Sequence, residues 1–168
     1  AELANGFGNL ASRTVAMVTR YFDSDIPQAN EYQPADKQVQ EVAAQAVSGA
    51  EAAMDRVAIH EAIASTWKLV DELNNYITTQ EPWVLAKEES TRERLGTVLY
   101  TSIEGLRVLA VLLAPVMPKA CEKLWAAIGS SLGELSNQSI SEAGVWGQLA
   151  AGTKISELEA LFPRVEEK

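Results

Sequence analysis

The chain has 168 residues, the length of one domain, and its 47% hydrophobic and 22% charged residues are typical of a globular protein. This composition excludes disordered and collagen-like chains. The net charge of −9 argues against a protein that coats nucleic-acid phosphates with many basic side chains. Eight acidic and three basic residues lie at positions 31–72, whereas residues 1–20 have one acidic and two basic residues. The first segment is therefore electrostatically free to meet an anion.

Cysteine and histidine chemistry is nearly excluded, because the chain has one cysteine, Cys121, and one histidine, His60. A single cysteine can form neither an internal disulfide nor a cysteine-based zinc site. The longest apolar stretch, around residues 108–116, is shorter than the roughly 18–20 residues that a membrane span needs. No basic and apolar leader opens the chain. The sequence therefore predicts a protein of the reducing cytoplasm with no membrane partner.

Apolar residues recur at helical spacing in five segments, and no segment has the alternation that is typical of a strand. The first helix is predicted from about residue 3 to residue 22, where the polar turn at 23–27 ends it. Further long helices are predicted at about 35–53, 57–78, 91–113 and 118–128, with one helical turn at 83–88. Gly129 is the expected cap of the last long helix.

Residues 129–168 are rich in Gly, Ser, Asn and Gln, and only short elements are expected there. We therefore predict an all-α fold with two parts. Residues 1–128 form a bundle of about five helices, and residues 129–168 form a loop-rich C-terminal tail.

Two enzyme motifs occur in incomplete form. The segment at 6–11 fits the G-x-G-x-x-A dinucleotide fingerprint, but no strand precedes it. His60 and Glu61 begin a zinc-protease motif, but Ala64 stands where the second histidine would be. No nucleophile with a neighbouring base can be assembled either. The sequence predicts no catalytic residue and no metal site in this chain.

A polar stripe on the first helix could carry binding chemistry. Asn5, Asn9 and Arg13 are four residues apart, so a helix places them on one side with about 5–6 Å between neighbours. Asn and Arg are side chains that hydrogen-bond base edges of nucleic acids. A solvated helix face, with Asn5 helping the helix to begin, has equal weight from the residues alone.

Pro82 and Trp83 interrupt the helical pattern after the third helix. A tryptophan directly after a helix-breaking proline lies at a junction, where its ring can project and stack on unpaired bases. The alternative is a tryptophan that anchors the bend, and an isolated Pro-Trp pair favours it, since large aromatic residues are usually in the core. Trp67 and Trp125 lie on apolar helix faces and are better core candidates.

Four segments occur in a specific order and spacing. They are NGFGNLASR at 5–13, NYITTQEPWVLAK at 75–87, the helix–Pro–helix junction at 106–125 and LFPRV at 161–165. Together they resemble the anticodon-binding domain of bacterial methionyl-tRNA synthetase over nearly the whole chain. The resemblance implies a helical domain that packs on a class I catalytic domain and recognises the CAU anticodon of methionine tRNA.

Five positions match the anticodon-reading residues of that family: Asn5, Asn9, Arg13, Pro82 and Trp83. By this match, Trp83 would stack on or beside the first anticodon base, held out by the proline turn. Asn9 and Arg13 would contact base edges and neighbouring backbone, and Asn5 would assist. We expect the first helix and the Pro82-Trp83 corner to face the same groove.

The chain departs from the full-length members of that family. It has neither an H-I-G-H nor a K-M-S-K-S signature for ATP and no cysteine-bearing metal insertion. We therefore expect a part of a longer synthetase, without catalytic activity or cofactor of its own. The resemblance implies that the parent joins methionine to its tRNA with ATP and Mg, and it leaves zinc open.

Two further expectations follow from the resemblance. No dimerisation module follows Lys168, which predicts a monomer. The tail at 129–168 is expected to pack back on the bundle or on the catalytic domain.

Two alternatives remain. One is the corresponding domain of a valyl-, leucyl- or cysteinyl-type synthetase, which the combined N-L-A-S-R and P-W motifs disfavour. The other is a helical protein-interaction domain in which Trp83 anchors a partner chain, as aromatic hot spots do.

Overall fold

The computed structural model describes residues 3–163, with side chains from Asn5 onward, and these residues form helices and turns without a named strand. The all-α prediction is confirmed. Arg164 and Val165 of the predicted chain-end motif lie outside the described residues. The helices are α1 (Asn9–Phe22), α2 (Pro34–Asp55), α3 (Ile59–Gln80), α4 (Pro82–Leu85), α5 (Arg92–Leu113), α6 (Pro118–Ile128) and α7 (Ile140–Ala143). A π-helical turn at Leu3–Gly8 precedes α1, and 3₁₀ turns lie at Glu89–Thr91, Ser130–Leu132 and Leu135–Asn137.

The helix ends follow local chemistry. α2 begins with a reciprocal cap, in which the backbone N–H of Gln33 donates to Asp36 Oδ2 at 2.8 Å, and with a proline in its first turn. α1 and α3 end at Asp23 and Glu81, both in the left-handed conformation with φ of 53° and 49°. Val57 is left-handed as well, at φ 57°, and α3 accordingly begins two residues later than predicted.

The first six described residues are the main departure from the predicted helix bounds. Residues 3–8 wind as a π-helical turn rather than as the start of one α-helix. Gly6 and Gly8 are weak helix formers, and Gly6 faces α3 closely, because a Cβ there would lie 3.1 Å from the Trp67 ring. The side chain of Leu3, the first residue of the predicted helix, lies outside the described side chains.

Helix α5 forms the core. Every residue from Leu95 to Leu113 is buried. The segment Glu89–Leu113 is long and apolar enough to cross a membrane, but its most apolar stretch of 18 residues is entirely buried inside the protein, as expected for the central helix of a bundle. Counting uninterrupted apolar residues did not reveal this segment, because Arg107 and other polar residues divide it.

Contacts at the start of α5 orient the bundle. Arg92 Nη2 donates to the carbonyl of Tyr21 at 3.2 Å, and Arg94 Nη2 donates to Gln80 Oε1 at 2.7 Å. The ends of α1 and α3 therefore meet the beginning of α5, and α4 follows at the same end. We call this the α4 end of the bundle.

The tail packs on the bundle over its described part, residues 129–163. The backbone of Ile26 exchanges hydrogen bonds with Thr153 and Gly152, at 2.9 and 2.8 Å. Arg107 of α5 donates to the carbonyls of Ala143 and Val145 at 3.1 and 3.0 Å. Whether residues 129–168 form a unit separate from 1–128 stays a prediction.

Gly129 follows α6, as expected, but not in the left-handed conformation of a glycine cap, since its φ is −111°. A Cβ at this position would lie 2.6 Å from the Trp125 ring. The glycine is therefore needed for the close approach of an indole, which is buried and donates to the Gly133 carbonyl at 2.8 Å. Trp67, the other predicted core tryptophan, is half-buried against the core.

Candidate nucleic-acid interface

The polar stripe lies on the solvent side of the first helical segment. Asn5, Asn9 and Arg13 are exposed. The opposite side of α1 is buried in the core through Leu10, Ala11, Thr14, Val15 and Val18. Within residues 5–163, no hydrogen bond or ion pair engages the side chains of the stripe. These three polar groups are therefore available to a ligand.

Helix α3 supports the beginning of the stripe. Asn74 Nδ2 donates to the Gly6 carbonyl and to the Val70 carbonyl, both at 3.2 Å. The bond to the Gly6 carbonyl ties the π-helical turn, which contains Asn5, to α3. Sequence reasoning did not single out Asn74; its one available signal was an amide next to the apolar face of a long helix.

Pro82 and Trp83 are neighbours on α4 but differ in burial. Pro82 is buried, whereas the Trp83 side chain is 39% exposed. The turn is held from both sides, because the Ala86 N–H donates to the Pro82 carbonyl at 2.9 Å and Thr91 Oγ1 donates to the Leu85 carbonyl at 2.6 Å. A rigid turn thus presents a large aromatic ring to solvent. Pro82 is the residue that packs at the bend.

The beginning and the end of the first helical segment contact different helices. The Gly6 carbonyl accepts from Asn74 of α3, and the Tyr21 carbonyl accepts from Arg92 at the beginning of α5. Helix α4 lies in the chain between the end of α3 and the beginning of α5. No described hydrogen bond or ion pair joins Arg13 to Trp83, so a groove shared by the stripe and α4 stays a prediction.

The charges on α1 suit an anion. α1 contains Arg13 and Arg20 and no acidic residue. Asp36, at the beginning of the acidic helix α2, is buried and accepts two hydrogen bonds from Arg94, at 2.7 and 3.0 Å. Its charge is thus compensated inside the protein. The exposed side of α1 carries a local positive charge despite the net charge of the chain.

The described residues offer little for catalysis. Among residues 3–163, no three His, Cys, Asp or Glu side chains are grouped to hold a metal ion. Cys121 is buried, and burial together with the nearby Glu122 raises the pKa of its thiol to about 12. A protonated buried thiol is a core residue rather than a nucleophile.

A buried ion pair was also missed by sequence reasoning. Glu104 and Arg107 lie fully buried on α5 and bond to each other. Two opposite charges three residues apart in an apolar helix were the available signal. The pair bonds to the backbone of the tail, which indicates a structural role.

Comparison with known proteins identifies the family. The protein-family model described as the anticodon binding domain of methionyl tRNA ligase matches residues 26–168 of this chain. The methionine–tRNA ligase of Streptomyces coelicolor is 42% identical over 173 aligned residues, which cover 100% of this chain and 32% of that protein. The ligase of Caldanaerobacter subterraneus is 39% identical, with coverage of 99% and 25%. The apo crystal structure of Mycobacterium tuberculosis methionyl-tRNA synthetase has a TM-score of 0.89 at 31% identity, and the match covers 100% of this chain and 33% of that one.

The fold is that of an anticodon-binding domain of an aminoacyl-tRNA synthetase. The chain belongs to the family of anticodon-binding domains of methionyl-tRNA ligase. It spans a quarter to a third of the length of these relatives. The family model begins after α1, but the relatives align over nearly all of this chain, including the stripe.

Proposed function

We propose that this chain reads the CAU anticodon of methionine tRNA as the anticodon-binding part of a methionine–tRNA ligase. The observation that carries this proposal is the Trp83 ring, which is 39% exposed on a turn held by the buried Pro82. An exposed ring leaves apolar surface in contact with water, whereas large aromatic side chains are usually buried. A stacked base would recover that burial on binding.

Each predicted site residue has a role in this proposal. Trp83 stacks on or beside the first anticodon base, and Pro82 holds the turn that presents it. Asn9 and Arg13 donate to base edges and neighbouring backbone, and Asn5 assists at the start of the stripe. Loop bases are unpaired, so stacking and hydrogen bonds to their edges can both be used. A chain with net charge −9 can do this because only its local surface must accept the RNA.

The test is a titration of this chain with a labelled anticodon stem-loop carrying CAU, beside a loop in which the first base is changed to G. Low salt keeps weak binding measurable. We expect a preference for CAU that Trp83→Ala removes, with a loss of about 1–3 kcal/mol in binding, the usual worth of one base–aromatic stack.

The short helix α4 provides a matched control. Val84 is adjacent to Trp83 and 45% exposed, so Val84→Ala removes exposed apolar surface without removing a stacking ring. We expect Val84→Ala to bind both loops as the wild type does and Trp83→Phe to keep part of the preference. Equal binding of both loops, unchanged in Trp83→Ala, would instead favour the protein-interaction alternative.

We extend the proposal to the parent protein. The catalytic part lies outside this chain and uses ATP and Mg to join methionine to the tRNA, as a cytoplasmic monomer. We assign no step of that reaction to residues of this chain. The role proposed for them is to position the tRNA through its anticodon loop.

A further inference from the structure

The exposed side of α1 continues past the predicted site. Arg13 and Arg20 are seven residues apart, so they differ by about 20° around the helix and lie about 10 Å apart along its axis. Ala16, between them, is also exposed and carries only a methyl group. The two arginines therefore stand in one row, flanked by the exposed Ala16 on one side and the partly buried Met17 on the other.

Arg20 lies over the aromatic ring of the next residue. Its guanidinium lies 5.8 Å from the centre of the Tyr21 ring, and Tyr21 packs against the core. A cation–π contact at this distance leaves the N–H donors of the guanidinium free. Within the described residues Arg20 forms no ion pair.

The cleft beside Arg20, between α1 and the tail, has hydroxyl, apolar and acidic side chains. Ser12, Thr19 and Ser24 line it together with Val15, Ala16 and Leu158. Glu157 is the acidic residue of that cleft. A guanidinium beside several hydroxyl donors is the chemistry that recognises a phosphate.

We propose that Arg20 binds a backbone phosphate of the RNA strand whose anticodon base meets Arg13. This inference rests on the proposed function, because it takes the same RNA as ligand. The distance between the two arginines is one that a short stretch of single strand can span. Sequence matching to the family did not include Arg20; the helical row and the ring beneath it identify the residue.

A phosphate contact has a measurable signature that differs from base reading. Every nucleotide has the same phosphate, so Arg20 adds equal affinity for every loop sequence. Its contribution falls with salt, because binding releases a counterion from the RNA. Arg20 therefore raises affinity, whereas Trp83 and Arg13 determine the preference for CAU.

The experiment measures the affinity of this chain for the CAU loop and for the loop with a changed first base, over a series of salt concentrations. Arg20→Gln is expected to weaken the binding of both loops by the same factor, about 1.5-fold to fivefold at low salt. The slope of log K against log salt should become shallower by about 0.7, the value for one phosphate of a single strand. Arg20→Lys should keep the slope.

Arg56 is the matched control. It is exposed, lies between α2 and α3, and pairs with Glu61. Arg56→Gln removes the same charge and should leave affinity and slope unchanged. Equal effects of Arg20→Gln and Arg56→Gln would overturn the inference, because they would reflect net charge alone.

The outcomes separate this inference from the proposed function. A wild-type preference for CAU with no effect of Arg20→Gln overturns the phosphate contact and leaves the proposed function intact. A change in the CAU preference itself upon Arg20→Gln also overturns it, since a phosphate carries no sequence information. Equal wild-type binding of both loops, with the slope change present, contradicts only the anticodon reading, and absence of binding overturns both.

Discussion

Asp36 is a buried carboxylate that joins three helices. It lies on α2, accepts a hydrogen bond from Tyr76 of α3, and accepts two from Arg94 of α5, at 2.7 and 3.0 Å. Burial raises the pKa of Asp36, but the bonds from Arg94 and Tyr76 lower it by more, so that the pKa lies below its usual 3.8. The ionised form of Asp36 therefore stabilises the fold.

The first prediction concerns acid. Because the pKa of Asp36 is lower in the folded state than in the unfolded state, its stabilisation is complete well above pH 3.8 and is lost as the pH falls below that value. Asp36→Asn should lower the free energy of unfolding by about 3 kcal/mol at pH 7, as expected when a buried pair loses one partner. Urea denaturation from pH 3 to pH 7 should show that this difference shrinks in acid.

Asp71 of α3 is exposed and serves as the control. Asp71→Asn should change the free energy of unfolding little at any of these pH values. If Asp36→Asn lowers the free energy of unfolding by the same amount down to pH 3, the ionised form of Asp36 does not stabilise the fold as described.

For single residues, the sequence predicted which side chains are exposed better than it predicted which side chains bond to each other. The four-residue spacing of Asn5, Asn9 and Arg13 places them on one side of a helix whatever the fold, and all three are exposed. Asp36 and Arg94 are 58 positions apart, and their contact depends on how three helices pack. No local pattern encodes such a contact, so it could not be predicted from the chain.

Among the elements, α5 sets the spacing of its neighbours. Gly105 lies where α5 meets α3, and a Cβ there would lie 2.8 Å from Leu73 Cδ1. This is closer than real carbon contacts allow. The glycine therefore lets the two helices approach, at the cost of a weak helix former inside α5.

The second prediction is that Gly105→Ala destabilises the fold by about 1–3 kcal/mol, because the added methyl overpacks the core. Urea denaturation measures the loss. Helix propensity alone predicts the opposite sign, a gain of about 1 kcal/mol, so a stabilised variant would contradict the close packing. Leu73→Ala provides the internal control, since Gly105→Ala should cost less in its presence than alone.

Most of the helix bounds could be predicted because periodicity is a local property. The long helices α2, α3, α5 and α6 begin and end within two residues of the predicted positions. The start of α1 could not be predicted, because Asn74 and Trp67 of α3 determine how residues 3–8 wind.

For the whole molecule, the buried pair of Glu104 and Arg107 joins the tail to the bundle. Arg107 donates to the carbonyls of Ala143 and Val145, and Glu104 accepts from the Leu149 N–H at 3.0 Å. Burying both charges is costly, but each one satisfies backbone groups that would otherwise be unpaired.

The third prediction is that Glu104→Gln leaves the Arg107 guanidinium without a charged partner and lowers the free energy of unfolding by about 3 kcal/mol. Hydrogen exchange at the Leu149 amide should accelerate more than exchange in the centre of α5, because the tail loses its attachment first. Glu122→Gln, at an exposed position of α6, is the control and should change neither. Uniform acceleration along the chain would contradict a separate role for the pair in holding the tail.

The central claim is that the Trp83 ring stacks on the first anticodon base. The most direct measurement is a binding cycle that combines Trp83→Ala with an anticodon loop lacking that base at the first position. If ring and base contact each other, the two losses are not additive, and the coupling should be about 1–3 kcal/mol. The same cycle with the second base removed should show little coupling. Additive losses at the first position would contradict the stacking assignment, even if both changes weaken binding.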